Sequence, residues 1–281
     1  MGKSKVALRI AYLGTRYEGF QTQPGRRTVQ AAIMEALQDA RLLSSEAADF
    51  SASGRTDKGV HALDAVVAFQ TEASVLATPR HINTKLPPDI WAWAHADVPP
   101  SFNARRDATK REYRYISCDK QFDIRSMRQA SDMLCGMHDF RNFSRERKLP
   151  VVRTVFSSNV RISGNFVIID VEADSFVWNM MRKLVTALIL VGSGQKTLEW
   201  FVNMLNPQQY REGLRSAPAF GLVLTKVEYP DIHFLEDAYA KKRALRRIQD
   251  LSVRNSTMTE VLKTFDKQMT SDHKRRGLKL I

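Results

Sequence analysis

The chain has 281 residues, with 43 Lys and Arg against 30 Asp and Glu, and its formal net charge of +13 favours a polyanionic partner, above all a nucleic acid. The two cysteines, Cys118 and Cys135, are too few for a disulfide framework or a four-thiolate zinc site, and the longest apolar stretch, 184–191, is too short to span a bilayer. We therefore expect a cytoplasmic protein without metal or membrane segment, whose 43% hydrophobic content supports one large domain or two ordinary ones.

The first part of the chain alternates strands with amphipathic helices. A strand is predicted over 6–13, followed by a loop and then a helix with Thr28 as its N-cap. Next come a strand over 65–71, a short helix over 79–85 and a strand over 90–98. We interpret residues 1–105 as an α+β domain.

Residues 106–230 repeat this alternation and predict a second α+β domain. The predicted elements are a strand over 113–118, a helix over 124–137, strands over 151–162 and 166–173, helices over 177–191 and 198–205, and a strand over 222–229. The predicted fold class is therefore α+β, with two similar ferredoxin-like (RRM-like) halves whose mixed or antiparallel sheets flank a basic central cleft.

Residues 231–281 are predicted to form a basic helical extension. This tail carries 12 Lys or Arg against 7 Asp or Glu, and five of the cations cluster between 241 and 247. The cluster could bind phosphates or could be an ordinary solvated helix face.

One short segment contains the residues that could carry out catalysis. Asp57 lies between the cations Arg55 and Lys58, and Gly54 and Gly59 flank the group and allow close approach of a bulky ligand. The neighbouring cations favour an ionised carboxylate, which could act as a nucleophile or as a base. A local salt bridge to Asp57 is the alternative role for Arg55.

The segment 54–61, Gly-Arg-Thr-Asp-Lys-Gly-Val-His, resembles the signature of the TruA family of tRNA pseudouridine synthases. Further family elements are matched in the right order, and the resemblance covers residues 5 to 230. They are Tyr-Glu-Gly-Phe-Gln at 17–21, Phe-Asn-Ala-Arg at 102–105, Ala-Thr-Lys-Arg-Glu-Tyr-Arg-Tyr at 108–115, Phe-Val-Trp-Asn-Met-Met-Arg at 176–182 and Gly-Leu-Val-Leu at 221–224. In the fourth of these, Trp178 and Asn179 replace histidines that are common in bacterial members.

The resemblance implies roles for individual residues. Asp57 would be the catalytic aspartate, Arg182 would pair with it, Tyr113 would stack on the flipped base, and Arg55 would enter the vacated space or contact a phosphate. The cations that would contact RNA phosphates are Lys58, Arg105, Lys110 and Arg111. The resemblance further implies a homodimer that acts without a cofactor on uridines 38, 39 or 40 of the tRNA anticodon arm.

Two other interpretations stay open at this point. A noncatalytic tRNA-binding protein or RNA chaperone could use the same cleft, although binding alone has little use for a carboxylate among cations. A DNA-binding role is less favoured, because the sequence has no helix-turn-helix or zinc-finger pattern. His61 could be a general base, but a structural role in its loop is favoured.

Overall fold

The computed structural model describes residues 3–43, 49–118, 121–145 and 151–277, with side chains up to residue 270. The chain divides into two compact units, Met1–Asp237 and Ala238–Ile281. None of the helices in these described ranges is long and apolar enough to cross a membrane.

The first unit is built on one mixed sheet. Its strands are β1 (Ser4–Tyr12), β2 (Ser51–Ala52), β3 (His61–Thr71), β4 (Ile90–Val98), β5 (Lys110–Ser117), β6 (Gly136–Asp139), β7 (Val152–Ser163), β8 (Phe166–Ala173), β9 (Leu222–Glu228) and β10 (Leu235–Glu236). Their order is β10-β4-β1-β3-β9-β5-β8-β7-β6, with β2 paired to β3. The α+β class and a mixed sheet are thus confirmed, while the division into two ferredoxin-like halves stays a prediction.

The helices of the first unit lie in the connections between the strands. They are α1 (Val29–Asp39), α2 (Pro79–Ile82), α3 (Ile124–Asp132), α4 (Met180–Gly192) and α5 (Leu198–Met204). The second unit contains α6 (Ala238–Gly277). The predicted cap of α1 is confirmed, because the Thr28 side chain accepts a hydrogen bond from the Ala31 amide.

One of the short pairings lies near the middle of the sheet. There β3 and β9 are parallel and form only two residue pairs, His61 with Val223 and Ala62 with Leu224. Strand β9 continues on its other side into a long antiparallel ladder with β5. The loop that precedes His61 therefore emerges where the β1–β3–β4 and β5–β7–β8 parts of the sheet meet. The domain boundary predicted after residue 105 stays a prediction.

Several predicted helices differ in their bounds: the one over 79–85 ends at Ile82, the one over 198–205 ends at Met204, and two others are interrupted by backbone geometry. The helix predicted over 124–137 ends at Asp132, and residues 136–139 instead form β6, which pairs with β7. Gly136 has φ +107, a conformation that a continuing helix does not allow. The helix predicted from 177 begins at Met180, because Asn179 is left-handed, with φ +66. Both breaks depend on backbone geometry that an apolar pattern does not record.

Candidate active site

The loop that carries Asp57 is held by hydrogen bonds at both of its ends. The Ser53 amide donates to the Val66 carbonyl at 2.8 Å, and the Ser53 hydroxyl accepts from the Val66 amide at 3.0 Å. Further along, the Phe20 amide donates to the Thr56 carbonyl at 3.0 Å, and the Thr56 hydroxyl lies 2.8 Å from the Tyr12 hydroxyl. The carboxylate is therefore presented from a fixed backbone.

A tight turn follows Asp57. The Val60 amide donates to the Asp57 carbonyl at 3.1 Å, and Gly59 adopts φ +81, which glycine accepts without strain. The turn lies directly against Gly14, since a Cβ added there would stand 1.9 Å from the Val60 carbonyl oxygen. Gly59, which belongs to the segment 54–61, is thus favoured by its positive φ, and Gly14 is required because the turn leaves no room for a side chain.

Asp57 forms an ion pair with an arginine far away in sequence. Arg182, in the first turn of α4, places its Nη1 3.0 Å from Asp57 Oδ2. Its Nε donates to the Ala217 carbonyl at 2.7 Å, which fixes the direction of the guanidinium. Both side chains are partly exposed, at 25% for Asp57 and 19% for Arg182, so the pair faces the cleft. Arg55 and Asp57 form no ion pair within the described residues.

Asn179 is a second donor to Asp57 that the sequence interpretation did not single out. Its amide is assigned to the orientation that pairs both of its atoms, in which the nitrogen donates to Asp57 Oδ2 at 2.8 Å and the oxygen accepts from Trp178 Nε1 at 3.2 Å. In the opposite orientation the amide oxygen would instead accept from Arg182 Nη1 at 3.3 Å. The signal was present in the sequence, since Trp178 and Asn179 are the two residues that depart from the histidines of bacterial members.

The carboxylate opens into a cleft of about 1010 Å³. Seven of the residues that line it are Lys or Arg, and three are Asp or Glu. Tyr113 lies in the lining, buried and in edge contact with Phe176, with ring centres 4.9 Å apart. Burial raises the pKa of Tyr113 to about 12, so its hydroxyl stays protonated at physiological pH. The cleft thus combines an aspartate paired with an arginine, a neutral phenol and several cationic side chains.

The predicted phosphate contacts fall into different settings. Arg55 and Arg105 are exposed in the lining of the cleft. Lys58 also lines it and forms a 2.8 Å ion pair with Glu18. Lys110 is outside the lining, and its ammonium lies 3.1 Å from Glu172. Arg55, Arg105 and Lys58 are therefore positioned to meet a polyanion that enters the cleft.

Arg111 lines the cleft but directs its guanidinium to the protein. It is 8% exposed and donates to the backbone carbonyls of Ser53, Arg105, Ala108 and Asp174 at distances from 2.6 to 3.2 Å. These contacts tie β5 to the start of the Asp57 loop. Its role as a phosphate contact stays a prediction. Its observed contacts show that the side chain connects separate backbone segments of the protein.

We expect Arg111→Met to lower the free energy of unfolding by about 3 kcal/mol, the scale of one or two lost charge-assisted hydrogen bonds. Urea denaturation measures the change. The matched control is Arg106→Met, which removes an exposed arginine from the same lining and should shift stability by less than about 0.5 kcal/mol. Wild-type stability combined with weaker RNA binding would favour the phosphate contact instead.

His61 has the contacts of a structural histidine. Its Nδ1 accepts from the Gly14 amide at 3.2 Å, and its Nε2 lies 3.1 Å from the Phe220 carbonyl. Burial lowers the pKa of His61, so the ring is neutral near pH 7 and donates to that carbonyl through Nε2. Both nitrogens are engaged in holding the turn beside β3 and β9.

A fixed, ion-paired carboxylate in an open cationic cleft is the arrangement of an enzyme that acts on a polyanion. Comparison with known proteins specifies which kind. A family model described as tRNA pseudouridine synthase matches residues 130–230. The chain is 48% identical to the tRNA pseudouridine synthase A of Methanosarcina barkeri, over 92% of this chain and 97% of that protein. It is also 48% identical to the enzyme of the same name from Methanococcoides burtonii, over 95% and 98% of the two chains.

At 38% identity, the tRNA pseudouridine synthase A of Archaeoglobus fulgidus aligns over 93% of this chain and 97% of its own. The chain belongs to the tRNA pseudouridine synthase A family. The resemblance noted in the sequence is thereby confirmed. An enzyme is favoured over the alternative, a noncatalytic RNA-binding protein.

Proposed function

We propose that this protein isomerises uridine to pseudouridine at positions 38, 39 or 40 of the tRNA anticodon stem-loop, with Asp57 as its catalytic group. Membership of the family supports the enzyme class, an isomerase acting on tRNA. The observation that carries the site is the Asp57 carboxylate, held by Arg182 at 3.0 Å in a cleft whose charged lining residues are mainly cations.

The reaction needs few groups. The bond between uracil N1 and ribose C1′ breaks, the base turns while it is held, and C5 joins C1′. N1 gains a proton, the proton on C5 is lost, and no electrons are exchanged with a cofactor. Asp57 can serve this sequence as a nucleophile or as a proton acceptor. Its fixed backbone and its two donors, Arg182 and Asn179, keep it aimed at one point in the cleft.

The target uridine has to leave its stack before the carboxylate can reach it. Tyr113, with its edge contact to Phe176, offers an aromatic surface beside Asp57 for the flipped base. Arg55 is exposed at the same cleft, which supports a role in entering the vacated position or in holding the distorted phosphate. Trp178 is 55% exposed in the lining, with the Arg145 guanidinium 4.1 Å from its ring centre, and it offers a second stacking surface.

The remaining parts of the proposal concern assembly and place. We place the protein in the cytoplasm, where its tRNA substrate is, and we infer from the family resemblance that it works as a homodimer. The net charge of +13 supports binding to an extended polyanion.

The positions are tested with tRNA transcripts that carry uridine labelled with tritium at C5. We expect tritium release from a transcript that keeps uridine at 38, 39 or 40 and none when all three positions are cytidine. Undiminished release from the cytidine transcript would contradict these positions while leaving the synthase activity intact. Absence of release from every native tRNA would contradict the enzyme itself.

Tyr113 provides a test based on pH. Because its raised pKa of about 12 keeps the phenol neutral, Tyr113→Phe should lower kcat by a factor that is constant between about pH 7 and pH 10. Tyr113→Ala, which also removes the stacking surface, should cost roughly 5- to 100-fold in kcat/KM. A wild-type to Tyr113→Phe ratio that changes with a midpoint below about pH 10 would contradict a neutral phenol.

A further inference from the structure

The second unit carries a repeated apolar seam that the proposed chemistry does not use. Along α6, seven positions follow alternating steps of three and four residues, the a and d spacing of a coiled coil. They are Ile248, Leu251, Asn255, Met258, Leu262, Phe265 and Met269. Six of the seven are apolar, and the repeat continues over three heptads.

This seam is open to solvent. Ile248 is 40% exposed, and Met258, Leu262, Phe265 and Met269 are between 48% and 71% exposed. Apolar side chains of this size in one continuous stripe mark an interaction surface, because water contact with each of them is unfavourable.

The middle of α6 would be a weak helix by itself. Residues 252–259 include two serines, two threonines, a valine and an asparagine, all poorer helix formers than alanine or leucine. Isolated helices are marginal in water even with good formers, since most helical stability comes from packing an amphipathic face. A partner along the seam would provide that packing.

Two observations identify the partner as a second copy of this chain. Asn255 occupies an a position, where a single asparagine is stabilised by its own counterpart across a parallel dimer. Residues 248–269 contain three Asp or Glu and three Lys or Arg, so two copies meet without net repulsion. A nucleic acid would gain more from 241–247, which has five cations and no acid.

We propose that residues 248–269 form a parallel, in-register two-stranded coiled coil with the same segment of a second copy. This association uses a surface in the second unit and is independent of the catalytic assignment. Parallel alignment brings Asn255 against Asn255, whereas an antiparallel pair would place it against an apolar d position.

The test is cysteine cross-linking in the full-length protein with Cys118→Ser and Cys135→Ser, which remove the two exposed native thiols. Met258→Cys, at a d position, should give a disulfide-linked dimer on mild oxidation. Val253→Cys, at an f position on the opposite side of the helix and 68% exposed, is the matched control and should give at least about tenfold less. Adding Leu262→Glu to the Met258→Cys protein should lower its yield by about tenfold or more, while adding Val253→Glu should not.

Equal cross-linking through positions 253 and 258 would overturn the proposal, because it would reflect random collision. So would the absence of a linked dimer through position 258. Circular dichroism of each variant confirms that α6 remains helical.

A second inference comes from the geometry around Asp57 and rests on the proposed function. We infer that Asn179 is a positioning residue that holds the carboxylate in its reactive direction. Its amide nitrogen lies 2.8 Å from Asp57 Oδ2, the same oxygen that Arg182 contacts at 3.0 Å. Two donors on Oδ2 leave Oδ1 as the oxygen that can turn toward a substrate.

The backbone supports this role. Asn179 adopts φ +66 immediately before α4, a conformation that asparagine tolerates better than most residues with a side chain. The left-handed turn places the amide next to the carboxylate, and the indole of Trp178 holds its oxygen at 3.2 Å.

The left-handed backbone allows a clean test. Asn179→Gly keeps that conformation without strain and removes the side chain that carries the amide, so we expect kcat to fall by about tenfold or more with KM for tRNA within about twofold and an unchanged Tm. Asn179→Ala should show the same kcat loss and, because of backbone strain, a lower Tm. In an Asp57→Asn background, Asn179→Gly should have no further effect on the residual rate.

Wild-type kcat in Asn179→Gly, with Asp57→Asn inactive, would overturn the positioning role alone. Full activity in Asp57→Asn would overturn the catalytic role that the proposed function gives to Asp57. The two failures are therefore distinguishable.

Discussion

Asp57→Asn is expected to lower pseudouridine formation by at least about 10²- to 10⁴-fold, because the amide can neither accept a proton nor form a covalent adduct as a carboxylate does. The substitution keeps the size of the side chain and its acceptor for Arg182, so the cleft should keep its shape. Binding of tRNA should be unchanged or tighter, since one negative charge leaves a cationic cleft. Tritium release at saturating tRNA and a filter-binding measurement separate the two effects.

Glu18→Gln is the matched control for this experiment. Glu18 lines the same cleft and forms an ion pair with Lys58, and the exchange removes the same charge with the same change of atoms. It should alter kcat by no more than a few-fold, because surface ion pairs contribute little. If both substitutions reduced kcat equally, a general electrostatic effect would replace Asp57 as the explanation.

Arg182→Lys is expected to cost roughly 10²-fold in kcat, with a smaller change in KM. The guanidinium contacts Asp57 with Nη1 and the Ala217 carbonyl with Nε, two directions that one ammonium group cannot serve together. The charge is retained, so the loss reports orientation rather than net electrostatics. Single-turnover kinetics at saturating tRNA measure it.

Arg105→Lys is the control for Arg182, since Arg105 is an exposed cation in the same lining. It should change KM and the salt dependence of binding slightly and leave kcat intact. Combining Arg182→Lys with Asp57→Asn should add little to the loss in Asp57→Asn alone, because the two residues act as one unit. Additive losses would show that Arg182 acts independently of the carboxylate.

Much of the secondary structure was readable from local patterns. The strands at 90–98 and 166–173 match their predicted bounds, and α1 begins after its predicted cap, Thr28. These elements follow from side-chain alternation, helical periodicity and capping chemistry, all of which operate between residues close in sequence. Where a left-handed residue interrupts the pattern, as at Asn179 before α4, the prediction extended the helix too far.

Some residues of the candidate site could be predicted from the sequence, and others could not. The sequence indicated Asp57 through its charged, glycine-flanked segment, and the family resemblance added Tyr113 and Arg182. It predicted a phosphate contact for Arg111, whose guanidinium lies among the backbone carbonyls of four residues from three parts of the chain. It did not single out Asn179, whose contact with Asp57 depends on the direction of one left-handed turn.

By itself, the sequence determined the class of this protein. It predicts an α+β chain with a net charge of +13, and its motifs follow one another in the same order as those of the tRNA pseudouridine synthases. Only the tertiary structure decided which cation pairs with the carboxylate. Arg55 and Lys58 are its neighbours in sequence, but Arg182, 125 residues away, makes the contact, because β9 pairs with β3 and the start of α4 lies beside the Asp57 loop. Local patterns record propensity and charge, whereas the direction of a side chain depends on packing between distant segments.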